Sequence, residues 1–312
     1  MHHNRIEHQA IGIDVGGSSL KCGLVNSSGE IVHALTLSLQ EAKTEAAVVQ
    51  LIENGIAECA GATQLPVVGI GIGFPGIIED GVIIGGAVNL PGFDHFPLAA
   101  ILSDSIKMPV WIDNDANMMA LGECAYGGAR DCDDVIFLTV GTGIGGAVLV
   151  NKKIVGGYRN RGGEIGHMIL HKDGKRCGCG ANGCFEAYAS TRALLEQYQN
   201  CSPDNAPVSG EMIVQKFLEA ETIAVNVMEQ HFDYMATGIA GLVNIFSPQR
   251  VIIGGGISEA GDFYISQIAD RVKAIAIPVA HEFTQIVPAL LGNKAGLLGC
   301  ASKVFEKVIP KC

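Results

Sequence analysis

The stretch Ile11–Val32, IGIDVGGSSLKCGLVNSSGEIV, reads as apolar strand, glycine turn, apolar strand, short turn and a third strand. A second stretch, Ile136–Val155, IFLTVGTGIGGAVLVNKKIV, repeats that order. Each turn offers backbone N–H groups where glycine lets a ligand come closer than a side chain would allow. Two such copies facing each other would clamp a polyphosphate from both sides, so the pattern predicts a duplicated α/β fold with a cleft between its halves. Around the copies the chain alternates strands and helices. The spacing predicts a helix over Glu41–Cys59, a strand over Val67–Gly76, a strand over Pro109–Asp115, and a helix beginning at Ala116. Helices are predicted at Ala187–Tyr198, Glu211–Gln230 and Tyr234–Ile245. A buried strand is predicted within Pro248–Ser258, a last strand near Thr284–Leu291, and a terminal helix from Ala295 to Val308. Alternation of this kind implies a largely buried sheet core.

Residues 1–117, completed by the terminal helix at 295–312, are expected to form a smaller N-terminal domain. Residues 118–294 form a larger one. With no Pro- or Ser-rich linker, the halves are expected to join through short crossings near Asp115–Glu123 and Gly292–Gly299.

The chain has 312 residues, 48% hydrophobic and only 17% charged, with 41 glycines. That composition suits an α/β enzyme rich in tight turns and supports two domains. A net charge of −11 argues against nucleic acid or an anionic membrane as partner, since both select basic surfaces. No stretch reaches the roughly 20 apolar residues of a membrane helix. The polar start, MHHNRIEHQ, lacks a signal-peptide core, and its His2, His3 and His8 read as a flexible tract. With ten cysteines and no export signal, free thiols and a cytoplasmic location are expected.

Three of those cysteines stand in Glu164–Glu186, EIGHMILHKDGKRCGCGANGCFE. His167, Cys177, Cys179 and Cys184 supply one imidazole and three soft thiolates, which is what tetrahedral Zn²⁺ prefers. Four protein ligands close the coordination shell, so the zinc is expected to be structural. Glu164 and Glu186 flank the loop, and a rigid loop can aim carboxylates.

The remaining candidates carry phosphate and sugar chemistry. Asp14 with Gly16, Gly17, Ser18 and Lys21 marks the first turn, where a carboxylate can hold hydrated Mg²⁺ while backbone meets phosphate. Gly141, Thr142 and Gly143 mark the second, and Gly255 and Gly256 follow an apolar strand where adenine and ribose could lie. None of these is a Walker pattern. In Asp113-Asn114-Asp115, at a strand end opening a helix, the types suit helix caps. Asp115 is also placed to take a proton from an attacking hydroxyl. A carboxylate at a helix N-terminus is a weak base, which phosphoryl transfer tolerates. Glu164, His167 and Glu186 offer acceptors and a ring nitrogen suited to adjacent hydroxyls of a sugar. Glu123 reads as solvated or interdomain, and His95 and His171 as surface residues.

Taken in order, IGIDVGGSSLKCGLV, GIGFPG, IDNDANMMALGE, VGTGIGGA, GGEIGH, CGCGANGCFEAYAS and VIIGGGIS resemble the ROK sugar kinases over nearly the whole chain. The resemblance implies the actin-like ATPase fold, a duplicated ribonuclease H-like α/β architecture with two domains flanking a cleft. It implies Asp115 as catalytic base, with Asn89, Asn114, Glu164, His167 and Glu186 on the sugar. The expected reaction is phosphorylation of a hexose 6-hydroxyl by ATP with Mg²⁺, glucose being the leading sugar. N-acetylmannosamine or N-acetylglucosamine is the alternative, and fructose a weaker one. The resemblance also implies a homodimer. Ser18 departs from the family's usual Thr, and either hydroxyl can meet phosphate. Repressors of the same family carry an added N-terminal DNA-binding domain. Because the first turn unit begins at Ile11, none is expected here.

Overall fold

The computed structural model describes residues 8–87, 90, 92–202 and 207–309. Two sheets in it follow one plan. In the first, β1 (Gln9–Val15) runs antiparallel to β2 (Ser19–Asn26), which runs antiparallel to β3 (Ile31–Ser38). On its other side β1 is parallel to β4 (Val67–Phe74). A small hairpin of β5 (Ile77–Glu79) and β6 (Val82–Gly85) intervenes before β7 (Val110–Asn114) joins β4 in parallel. The second sheet repeats this with β8 (Val135–Val140), β9 (Ile144–Val150), β10 (Lys153–Ile154), β11 (Arg250–Gly254) and β12 (Gln285–Pro288). The orders are β3-β2-β1-β4-β7 and β10-β9-β8-β11-β12, with matching strand directions. The duplication read from the two glycine turns is therefore a duplication of whole sheets.

The helices are α1 (Glu45–Gly61), α2 (Leu98–Ile106), α3 (Asp115–Tyr126), α4 (Glu186–Ala189) and α5 (Thr191–Cys201). There follow α6 (Gly210–Leu218), α7 (Thr222–Phe246), α8 (Asp262–Ile275), α9 (Pro278–His281) and α10 (Ala295–Val308). Capping chemistry decides several boundaries that periodicity left open. Thr44 accepts from Ala47 N, so α1 begins at Glu45 and not at Glu41. Ser190 accepts from Ala193 N and splits the helix expected over Ala187–Tyr198. Ala220 is left-handed and Glu221 caps the next helix through Ala224 N. The helix expected over Glu211–Gln230 thus breaks there, and its second part continues through Tyr234 as the 25-residue α7. Among the described residues no helix is long and apolar enough to cross a membrane.

The chain divides into two compact units. One comprises residues up to Arg130, Gly156–Gly162 and the chain from Asn293; the other comprises Asp131–Val155 and Gly163–Gly292. The first boundary lies at 130/131 and not at 117/118 because α3 belongs with α10. Glycines set that packing: a Cβ on Gly122 would lie 2.2 Å from Ala295 O, and one on Gly299 1.6 Å from Met118 O. Likewise β1 and β4 meet α10 through Gly12 and Gly71, whose Cβ atoms would lie 2.1 and 2.0 Å from backbone oxygens. Backbone cannot yield as a side-chain tip can, so Gly299→Ala is expected to destabilise this unit by about 3 kcal/mol. Denaturant melts would show it, and a loss below about 0.5 kcal/mol would contradict the packing argument.

Glu123, expected to be solvated or interdomain, is fully buried and bonded within the same unit. Its carboxylate accepts from Gly128 N at 2.8 Å, and its backbone oxygen accepts from Gly127 N and Ala129 N. It closes the turn after α3, where backbone amides withdrawn from water need an acceptor.

The core of the second unit gathers β8, β9 and β11 against α5, α6, α7 and α8. His231 sits inside it, with Nε2 2.7 Å from the Tyr264 hydroxyl. Burial pushes the His231 imidazole down to about 4. Below pH 6.5 the unfolded chain binds a proton there that the folded chain refuses. Stability from this group is complete above pH 6.5 and lost as pH falls toward 4, by about 3 kcal/mol across that window. Thermal melts of the wild type and His231→Leu check this, since the variant should lose that segment of the pH dependence.

Candidate functional site

In the first unit, β7 delivers Asp113-Asn114-Asp115 to the start of α3. Asn114 is the cap: Oδ1 accepts from Ala116 N at 3.0 Å and Asn117 N at 3.3 Å, and Nδ2 donates to Gly76 O at 3.0 Å. Asp115 is the first helical residue, with Oδ1 3.0 Å from Ala116 N. The cap role suggested by residue type therefore belongs to Asn114, and Asp115 carries a carboxylate beyond what the cap requires. Asp113, quoted in the motif but given no role, is 8% exposed and holds the junction. Its Oδ1 accepts from Asn114 N, Asn117 Nδ2 and Asn160 Nδ2, and its Oδ2 lies 4.0 Å from Lys303 Nζ.

Asn160 belongs to a short segment, Gly156–Gly162, that no sequence signal attached to this unit. Glu79 at the end of β5 binds both Arg159 and Arg161, the latter at 2.7 Å, and Asn160 Nδ2 donates to Ile78 O. The two guanidiniums, Arg161 first, hold the Glu79 carboxyl below the usual carboxylate range. Partners about eighty positions apart are brought together by the fold alone, so only the composition YRNR hints at an acidic partner.

Asp14 stands opposite Lys21 across β1 and β2 and is 7% exposed. Burial raises its carboxyl above the usual range and Lys21 opposes that shift. A Cβ on Gly296, in the first turn of α10, would lie 2.7 Å from its Cγ. A buried carboxylate that costs energy to ionise fits a cation held beside it. Lys21 Nζ reaches Asn293, 3.4 Å from Oδ1. The turn closes with Gly16 N donating to Ser19 O at 2.9 Å. Gly17 and Ser18 line a cavity of about 350 Å³ together with Thr44, Leu90 and Phe93. Asn89 lies outside the described residues.

In the second unit the glycine turn closes with Gly141 N donating to Gly143 O at 2.9 Å. Gly141, Thr142 and Gly256 line one cavity of about 810 Å³. Apolar walls come from Leu195, Val214, Leu218 and Ile257, with Arg192, Glu211 and Gln215 as polar members. An apolar slot with a few polar groups is the usual form of a small-ligand site. Gly143 and Gly255 serve its construction. A Cβ on Gly143 would meet the Glu186 carboxylate at 2.2 Å, and one on Gly255, at φ +94°, would lie 2.1 Å from Val140 O.

Glu186 opens α4 and faces this turn, its Oε2 accepting from Ile144 N at 3.0 Å. Its Oε1 lies 3.7 Å from Cys177 Sγ and 3.8 Å from the Arg192 guanidinium. Glu164 is exposed at the start of a 3-10 turn, Ile165–His167, and its carbonyl accepts from His167 N. His167, Cys177, Cys179 and Cys184 place their ligand atoms within 4.8 Å of one another. Cys177 Sγ is 3.6 Å from His167 Nδ1, and Cys179 Sγ is 3.6 Å from Cys184 Sγ. Thiolates about 2.3 Å from one tetrahedral ion would stand roughly 3.8 Å apart, so the four atoms fit a metal and lie far beyond disulfide length. Without a cation, burial pushes the Cys184 thiol up to about 12. The loop is tied down by Cys177 N to Ala181 O, Phe185 N to Met168 O, and Lys175 N to the Tyr188 hydroxyl. Of the other thiols, Cys22, Cys59, Cys132 and Cys300 are buried and Cys201 is exposed, all free. Cys312 lies outside the described residues, as do His2 and His3. His171 is exposed, with its ring against Tyr188 and Tyr234.

Comparison with known proteins places this architecture. A glucokinase of Thermotoga maritima is 32% identical, the match spanning 96% of this chain and 98% of that protein. A xylose repressor of Caldicellulosiruptor bescii is 30% identical over 96% of this chain and 78% of its own length. Among solved structures, a ROK family glucokinase from Streptomyces griseus in complex with glucose and AMPPNP superposes with a TM-score of 0.80. It is 30% identical and covers 95% of this chain and 98% of its own. The ROK family model matches residues 10–307, and with its paired five-stranded sheets the chain belongs to the ROK family and has the actin-like ATPase fold of its kinases.

Proposed function

We propose that the protein is an ATP-dependent hexose kinase that phosphorylates the 6-hydroxyl of glucose. The observation that carries this reading is the similarity, over 95% of the chain, to a glucokinase solved with glucose and an ATP analogue. The sites described above suit that reaction. Asp115 accepts the proton of the 6-hydroxyl as its oxygen attacks the γ-phosphorus and ADP leaves. Asn114 keeps one amide hydrogen beyond its bond to Gly76, and it orients the sugar together with Asn89, Glu164, His167 and Glu186. With Nδ1 turned to Cys177, His167 Nε2 is the nitrogen left to meet a hydroxyl. Backbone at Gly16, Gly17 and Gly141–Gly143, with Ser18, Thr142 and Lys21, contacts phosphate. Gly256 and the apolar wall of the 810 Å³ cavity receive the adenosine.

Asp14 would hold Mg²⁺, which neutralises phosphate charge when bound with ATP. His167, Cys177, Cys179 and Cys184 would hold Zn²⁺, which cross-links the loop between Glu164 and Glu186. A homodimer completes the proposal: Ile245, Ile277, Val279 and Phe283 are all more than half exposed near α9, Phe283 at 82%, an apolar surface suited to a second copy.

The test is an ADP-release assay with Mg-ATP across glucose, mannose, fructose, N-acetylglucosamine and N-acetylmannosamine. Preference for glucose is the expected result. Preference for an N-acetylated sugar would keep the mechanism and replace the substrate, and absence of turnover with all five in metal-replete protein would refute the kinase reading.

A further inference from the structure

The structure assigns to Arg192 a role in reading the phosphates of the nucleotide, an assignment that rests on the kinase reading above. Arg192 stands in the first turn of α5 and is the one Lys or Arg among the residues lining the 810 Å³ cavity. The preceding residue, Thr191, donates its backbone N–H to Gly141 O at 2.9 Å, which pins this turn of α5 to the glycine hairpin. Arg192 is thereby placed at the hairpin end of the cavity, and Leu195 one turn further along lines the apolar wall. A triphosphate with its base on that wall and its phosphates at Gly141 and Thr142 would share the cavity with Arg192.

Two further observations point to an anionic ligand at this place. Thr191 also lines the cavity, and its hydroxyl oxygen is shielded from solvent with no hydrogen-bond partner among the described residues. A buried hydroxyl in that state costs free energy, which a turn about χ1 into the cavity would let a phosphate oxygen recover. Arg192 itself is weakly held. Its side chain is 49% exposed, and its ion pair with Glu186 is long, at 3.8 Å. Such a contact contributes little and is easily exchanged for a phosphate, which a guanidinium can grip with two parallel hydrogen bonds. Moving to phosphate would also leave Glu186 Oε1 free for a sugar hydroxyl, so one side chain would serve both ligands in turn.

The experiment is calorimetric binding of AMP, ADP and ATP to the full-length wild type, Arg192→Ala and Arg192→Lys, with melting temperature as the folding control. If Arg192 reads phosphate, the loss in Arg192→Ala grows with phosphate number, from less than about 3-fold for AMP to roughly 10- to 100-fold for ATP. Arg192→Lys should recover part of the ATP affinity and less of the turnover. An equal loss for all three nucleotides, or a loss confined to glucose affinity, would overturn the assignment and leave Arg192 as a partner of Glu186 alone. Wild-type protein that binds none of the nucleotides would overturn the kinase reading with it.

Discussion

Asp115→Asn is expected to lower turnover with ATP and glucose by about 10²- to 10⁴-fold and to leave glucose affinity within a few-fold. The substitution keeps the volume and the hydrogen bond from Ala116 N, because an amide oxygen can accept it as a carboxylate does. It removes the one capacity that the neighbouring residues cannot supply. Asn114 spends its side-chain oxygen on two amides of α3, and Asp113 spends Oδ1 on three donors that hold the junction. As an amide Asn114 cannot take the proton, and Asp113 is buried, its remaining oxygen turned toward Lys303. The size of the effect is bounded because positioning and electrostatics supply most of the rate in phosphoryl transfer. Steady-state kinetics beside calorimetric glucose binding decides the matter, and a variant retaining more than about half the wild-type kcat would exclude Asp115 as base.

Purified protein is expected to hold about one zinc per chain, and Cys184→Ala to lose it together with tight glucose binding. Cys184 is fully buried and pairs with Ile169, just after the turn that carries Cys177 and Cys179, which the bridge between Arg176 and Asn182 closes. Structural zinc contributes on the order of 10 kcal/mol in small metal-folded peptides, so its loss releases the loop and not merely one ligand. The loop spans from Glu164 to Glu186, and Phe185 beside its far end is buried against Gly238. Its inner end should stay anchored while the His167 ring and Glu164 lose their fixed positions. Glucose affinity should therefore fall by at least about 10-fold, while ATP affinity, assigned in the proposal to Gly141, Thr142 and Gly256, should change by less than about 3-fold. Elemental analysis and paired titrations measure both. A metal-free protein with unchanged glucose affinity would remove zinc from the account.

The duplicated turn units, the cluster of His167 with three cysteines and the strand-to-helix junction at Asp113–Asp115 were legible without coordinates because each rests on local chemistry. Glycine turns, thiol spacing and strand-to-helix caps act over a few residues, and residue type alone reports them. Even the terminal helix was placed at its observed ends. Helix breaks at Ser190 and Ala220 were less legible, since one side-chain cap or one left-handed residue outweighs an apolar period that continues through it.

What remained hidden depends on groups far apart in the chain. Glu79 finds Arg159 and Arg161, Asp113 finds Asn160 and Lys303, and Glu123 is buried by the turn it closes. The same holds for the domain boundary, which moved to 130/131 because Gly122 and Gly299 let α3 and α10 meet backbone to backbone. Arg192 joined the lining of the 810 Å³ cavity for a like reason: nothing in its own sequence neighbourhood distinguishes it from a solvated helix residue. Sequence by itself determined which chemistries this protein could host, because turns, caps and metal ligands are written in adjacent residues. Tertiary structure alone decided which charges are buried, paired or left available, because burial and charge pairing depend on distances that only the folded chain defines.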